Sequence, residues 1–182
     1  GYEGWKYFDS GKPIAIVGDS ASIPYVNWSR LDFYSQLFRD LSAAGYQPVF
    51  LDGESLVSSE FEQLCRRATI PRITVYNTSW MELGAVFAKS AVFFSGRWHA
   101  SILATMAGCP CVLFGSDSHK TRALHAMVDC RTSFLDISRL PNTVEQIIEA
   151  MDFEVKLGAD RREGLKRIAN GYRDKTSRYR EI

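Results

Sequence analysis

A parallel α/β sheet with helices on both faces is the fold class the sequence predicts. Three observations predict it. Short, nearly continuous apolar runs recur along the chain, amphipathic stretches at helical spacing separate them, and caps and glycine stops mark the joints. The runs seldom alternate apolar with polar, which is how strands read when both sheet faces are covered. With 182 residues the chain is one domain by size and can bury a sizeable core.

The strand candidates, in order, are Pro13–Gly18, Pro48–Leu51, Ile73–Tyr76, Ala91–Ser95, Cys111–Gly115 and Phe134–Ile137. Between the first two, Tyr34, Leu37, Phe38 and Leu41 recur at helical spacing and the stretch stops at Gly45. Ser79 and Glu82 have capping-box spacing ahead of Leu83, Val86 and Phe87. Ala100–Ala107 reads as a short apolar helix ended by Gly108, with Pro110 blocking continuation. Asn142 and Glu145 repeat the cap spacing before Val144, Ile147, Ile148 and Met151. Residues 161–182 hold eight Lys or Arg against three Asp or Glu, and Leu165, Ile168, Ala169 and Tyr172 form an apolar stripe: a basic C-terminal helix packing on the domain. Six strand–helix units imply a doubly wound, mostly parallel Rossmann-like sheet of about six strands, in the order 3-2-1-4-5-6 with right-handed crossovers. The whole of 1–182 is expected to be a single Rossmann-like domain.

Composition excludes several classes. A net charge of +1 gives no general drive toward nucleic acid or anionic membrane, and no apolar run is long enough to span a bilayer. The start carries no signal-peptide pattern. It is Gly1 rather than Met, so the chain is expected to be one lobe of something longer. The four cysteines suit a reducing compartment, and Cys109-Pro110-Cys111 lacks the two-residue spacer of a redox or zinc pair, so both are read as core. The three histidines have no metal-ligand spacing, and no metal is expected. Neither G-x-G-x-x-G, a P-loop nor a G-x-S-x-G elbow is present, which argues against a dinucleotide dehydrogenase, a P-loop NTPase and a serine hydrolase.

Ligands in open α/β sheets bind beyond the carboxyl ends of the strands, where strand order reverses. For the order above that is between strands 1 and 4. The loop after strand 1 contains Asp19 and Ser20. The turn after strand 4 reads Ser95-Gly96-Arg97-Trp98-His99, and the loop after strand 5 reads Ser116-Asp117-Ser118-His119-Lys120. Arg97 offers a fork for carboxylate or phosphate, and His99 a proton or a donor, at a helix N-terminus that itself favours anions. Lys120 adds a third cation. Each has a plain alternative: His99 a core histidine, Lys120 a solvated helix residue, Asp19 and Ser20 partners of loop amides, Asp117 a cap. Trp98 and His125 are read as structural. Trp28 either faces a sugar or covers the sheet edge.

The run Phe94-Ser95-Gly96-Arg97-Trp98-His99-Ala100, continued by Gly108-Cys109-Pro110-Cys111 and by Ser116–Lys120, resembles the Arg-x-His signature of the polysaccharide pyruvyl transferase family. The match is strong over about thirty residues, Ala91–Thr121. The resemblance implies a two-lobed, glycosyltransferase-B-like protein of which this chain is the C-terminal lobe. It implies phosphoenolpyruvate as donor with no further cofactor, and a glycan or lipid-linked sugar as acceptor, giving a pyruvate ketal on a cell-surface polysaccharide. It makes Arg97 and His99 donor-site and catalytic residues. Lys120, Ser116 and Ser118 would neutralise departing phosphate. His119 is a second candidate for proton transfer, and Ser95, Gly96, Asp19 and Ser20 complete the donor site. A cytoplasmic setting, at the inner face of the membrane, follows from the same resemblance, as does a missing N-terminal lobe.

Two other classes remain open. A nucleotide-sugar lobe of a glycosyltransferase uses the same architecture and needs a ribose-binding carboxylate, for which Asp129 and Asp136 are candidates. A non-catalytic binding lobe in glycan assembly would leave Arg97, His99 and Lys120 widely separated.

Overall fold

The computed structural model describes residues 11–20, 26–53, 58–115 and 119–177. Five strands, β1 (Ile14–Gly18), β2 (Gln47–Asp52), β3 (Arg72–Thr74), β4 (Val92–Ser95) and β5 (Cys111–Leu113), form one sheet in the order β3-β2-β1-β4-β5. Every pairing is parallel. The crossover helices are α1 (Arg30–Ala43), α2 (Ser58–Ala68), α3 (Trp80–Lys89) and α4 (Trp98–Met106). After β5 come α5 (Lys120–Met127), α6 (Val144–Lys156) and α7 (Gly158–Ser177).

Alternate strand residues serve opposite layers, as the pleat requires. Ala15, Val17, Phe50, Phe94 and Val112 face α1, α2 and α6. Ile16, Leu51, Phe93, Cys111 and Leu113 face α3, α4, α5 and α7. The first layer is aromatic. Phe50 and Phe61 stack with centroids 5.0 Å apart, and Tyr34 meets Phe61 edge-on at 5.0 Å. The Tyr34 hydroxyl is buried and donates to Gly18 O at 3.1 Å, which ties α1 to the end of β1.

The helix punctuation follows the sequence chemistry. The Ser79–Glu82 capping box is formed, with Glu82 N–H donating to Ser79 Oγ at 3.2 Å and Ser79 N–H to Glu82 Oε2 at 2.8 Å. Gly108 ends α4 at φ +76°, a left-handed conformation that glycine adopts without strain.

Three expectations need correction. The sixth strand is reduced to one parallel bridge, Phe114↔Leu135. Asp136 then accepts from Ser138 N–H at 3.0 Å and turns the chain into a 3₁₀ segment, Ile137–Asn142, so the ladder cannot continue. The third strand ends at Thr74 because Val75–Asn77 coil into a 3₁₀ turn. The cap position of α6 falls at Thr143 rather than at Asn142, and the Thr143 hydroxyl donates back to Leu140 O at 3.0 Å.

The C-terminal helix starts earlier than expected, at Gly158, and is described to Ser177. It is anchored by Arg161, buried against Glu154 at 2.8 Å, and by Arg162, which donates to Ser90 O at 2.8 Å. No helix among the described residues is long and apolar enough to cross a membrane.

Candidate functional site

Strand order reverses between β1 and β4, and there the two strand ends touch closely. Ser95 closes β4 and is fully buried; its Oγ donates to Asp19 O at 3.1 Å and accepts from Arg97 N–H at 2.9 Å. Gly96 N–H donates to the same Asp19 O at 3.0 Å. The approach needs residues without a Cβ. A Cβ on Gly18 would sit 2.6 Å from Ser95 Oγ, and one on Gly96 2.6 Å from Ser20 Cβ. Ser20, also buried, reaches toward Gly115 O at 3.4 Å, just beyond β5.

Arg97 occupies the cap position of α4 and turns its side chain across this floor. Nε donates to Asp19 Oδ1 at 2.6 Å and Nη2 to Asp19 Oδ2 at 2.8 Å, a two-point fork on a carboxylate that is only 3% exposed. The guanidinium then passes over Gly53, where a Cβ would stand 3.1 Å from Nε. It therefore lies across the ends of β4, β1 and β2. The sequence expectation was a fork open to ligand. In the structure Nε and Nη2 are committed to Asp19, on a side chain 19% exposed. Tyr34 senses the same pair. Burial foremost, and Asp19 after it, push its phenol well above the usual value, with Arg97 opposing.

His99 lies one residue inside α4 and is exposed. The Arg97 side chain makes no cap hydrogen bond, whereas Ser29 caps α1 and Ser79 caps α3, and the positive end of the α4 dipole lies at the Arg97–His99 turn. His119 and Lys120 open α5 and are exposed. Because β4 and β5 are parallel neighbours and α4 packs on α5, Lys120 starts from the same edge of the sheet as Arg97 and His99. Ser116, Asp117 and Ser118 lie outside the described residues. Ser95, Gly96, Asp19 and Ser20 are buried at the strand ends, Arg97 is half-buried, and His99, His119 and Lys120 are exposed.

The structural readings fare as follows. His125 Nε2 stands 2.7 Å from Thr132 O, with its ring edge-on to Phe134, so it is a packing residue. Trp28 donates to Ile137 O at 3.2 Å and packs on Phe33, covering the sheet flank. Burial pushes the Cys109 thiol up to about 12, and that of Cys111 well above its usual value; both are core. Asp129 pairs with Arg131 at 2.7 Å and Asp136 caps its own turn, so neither carboxylate stands ready for a ribose. Besides Asp19–Arg97, two further ion pairs with a buried carboxylate were not foreseen. Asp52 at the end of β2 holds Arg72, whose Nε lies 3.0 Å away, and Glu154 holds Arg161. Among the described residues no cluster of His, Cys, Asp or Glu is able to hold a metal.

A family model described as polysaccharide pyruvyl transferase matches residues 6–118. No curated protein sequence matches the chain. Solved structures share its fold. A spinosyn rhamnosyltransferase complexed with spinosyn aglycone is 12% identical with a TM-score of 0.59, over 88% of this chain and 41% of that one. A pneumococcal O-GlcNAc transferase in complex with UDP and GlcNAc is 12% identical, TM-score 0.58, over 93% and 35%. A family 9 glycosyl transferase from Veillonella parvula is 13% identical, TM-score 0.54, over 85% and 50%. The chain thus spans half or less of the length of each of these neighbours.

Proposed function

Because the chain belongs to the polysaccharide pyruvyl transferase family, we propose that it is the donor-side lobe of a transferase that moves pyruvate from phosphoenolpyruvate onto two hydroxyls of a sugar, as a ketal. The observation that carries this reading is the β4–α4 turn. It sets a carboxylate-backed guanidinium and an exposed imidazole at the N-terminus of α4, at the sheet's switch point.

The chemistry runs in four moves. The donor's carboxylate or phosphate sits at the N-terminus of α4, beside the Arg97 guanidinium. His99 delivers a proton to the donor's methylene carbon, and positive charge develops at the adjacent carbon. One sugar hydroxyl adds to that carbon and loses its proton. Phosphate then departs toward Lys120, and the second hydroxyl closes the ketal. Atoms and electrons balance without a further cofactor. Asp19 is a positioning residue: it holds the guanidinium flat and fixed before the donor arrives. A second lobe completes the cleft and supplies most acceptor contacts.

Calorimetric titration with phosphoenolpyruvate, UDP and GDP tests the proposal, together with phosphate release in the presence of the sugar acceptor. Phosphoenolpyruvate is expected to bind, and Arg97→Ala to weaken it. His99→Ala should keep binding yet lose roughly 10²–10⁴-fold in phosphate release. Binding of a nucleoside diphosphate but not phosphoenolpyruvate would transfer the lobe to the nucleotide-sugar class.

A further inference from the structure

Helices α3 and α4 are parallel neighbours: each follows a strand, starts at the carboxyl edge of the sheet and runs back across it, and the two pack together. Their register is set where Gly84 meets Leu103; a Cβ on the glycine would stand 3.7 Å from Leu103 Cδ1. Trp80 lies four residues before Gly84, and His99 four before Leu103, so each sits one turn nearer the edge on the same side of its helix. Trp80 and His99 therefore stand level at the carboxyl edge, on either side of the α3–α4 seam. Packed helices lie about 8–10 Å apart axis to axis, a gap that a tryptophan side chain reaches across.

Trp80 is 56% exposed, while Leu83, Val86 and Phe87 further along α3 are fully buried. The capping box holds its backbone, and Ser79 Oγ also donates to Glu82 Oε2 at 2.8 Å. A fixed backbone thus carries a wide aromatic surface into solvent, beside the imidazole that the proposed reaction uses. The face of an indole is the negative side of its quadrupole and attracts C–H groups, which one face of a pyranose ring supplies. Stacking there leaves the hydroxyls at the rim of that ring free to meet a neighbouring group. A three-carbon phosphate donor has no such face, and an open-chain polyol has none that is fixed.

We propose that Trp80 is an acceptor-orienting residue: the C–H face of the pyranose that receives pyruvate stacks on its indole, which turns the ring's hydroxyls toward the Arg97–His99 turn. The inference rests on the pyruvyl-transfer reading for the identity of the ligand. It adds to that reading a specificity-determining side chain on this lobe, one that selects a ring with an unbroken C–H face rather than a particular set of hydroxyls.

Saturation-transfer difference NMR on the full chain tests it. The probes are the methyl β-pyranosides of glucose, galactose, mannose and N-acetylglucosamine, with sorbitol as the open-chain comparison. Saturating the aromatic resonances of the protein should pass magnetisation to the C–H protons on one face of at least one pyranoside, and not to sorbitol. Trp80→Ala should weaken that pyranoside about tenfold, within the range one aromatic stack contributes, and Trp80→Phe should recover most of the loss. Met81→Ala removes the adjacent apolar group, 85% exposed, and should change nothing. Melting curves confirm that the variants fold. Absence of transfer to every pyranoside, equal transfer to sorbitol, equal transfer in Trp80→Ala, or an equal loss in Met81→Ala each overturns the proposal. Phosphoenolpyruvate titrated into the wild-type chain by calorimetry reads the donor site separately. Donor binding without a Trp80-dependent sugar contact removes the platform alone, and the reverse pattern removes the donor reading alone.

Discussion

Replacing Asp19 by Asn tests the central ion pair with almost no change of shape. Two charge-assisted bonds, of 2.6 and 2.8 Å, join this carboxylate to Arg97. Asparagine keeps one acceptor, and its amide group meets the second guanidinium N–H donor to donor. Breaking one side of a buried pair costs about 3–5 kcal/mol. Arg97 retains access to water, its side chain being 19% exposed, so part of that cost is recovered through solvation. About 2–3 kcal/mol is the expected loss, after that discount on the buried-pair range. With a urea m-value of about 2 kcal/mol/M the midpoint should fall by about 1–1.5 M, at unchanged m. Equilibrium unfolding followed by circular dichroism measures it. Arg97→Ala and the double variant complete the cycle, and the two single losses should be far from additive. A loss under about 0.5 kcal/mol, typical of an ordinary surface substitution, would refute the view that Asp19 fixes the guanidinium.

The other predictions concern parts distant from this pair. Glu154→Ala strands the buried Arg161 and should destabilise the chain by about 3–5 kcal/mol, whereas Glu154→Leu with Arg161→Met should lose much less; chemical denaturation compares them. Glu82 has its carboxyl held below the usual range, first by the Ser79 backbone N–H and then by the Ser79 hydroxyl. Its stabilising effect is therefore present above the unfolded carboxyl pKa and is lost as pH falls through the lower folded one. Wild type should melt above Glu82→Gln at neutral pH, and the gap should close in acid; a gap independent of pH would contradict this.

Much of the fold can be read from local pattern, because the sheet is built of units that are each self-announcing. The runs ending at Gly18, Asp52 and Ser95 have apolar residues on both faces and are covered on both. Ser79 with Glu82, and Gly45 and Gly108, mark helix ends through chemistry confined to a few residues. Less visible were features set by partners far away in sequence. Nothing near Asp19 announces that its carboxylate meets Arg97, 78 residues on. Arg97 and Asp19 were legible as polar residues at a switch point, but not as a pair. The Glu154–Arg161 contact did have a local signal. Glu154 continues the Ile147–Met151 stripe of α6 onto the buried face, and a carboxylate in that row requires a cation. The sixth strand failed for a local reason as well: Asp136 prefers bonding Ser138 N–H to extending the ladder. Helix α2 was passed over because its apolar groups, Phe61, Leu64 and Cys65, are few among charged neighbours.

The guanidinium at the reversal point is mounted on three strands at once, with Asp19 beneath it, Gly53 behind it and its own backbone held by Ser95. Such a mounting spreads responsibility. Small displacements anywhere along those three backbones converge on one charge, so substitutions that never meet a ligand, at Gly18, Gly53 or Gly96, should register as poorer capture of it. A map of damaging changes would then trace the outline of the support rather than of the cavity.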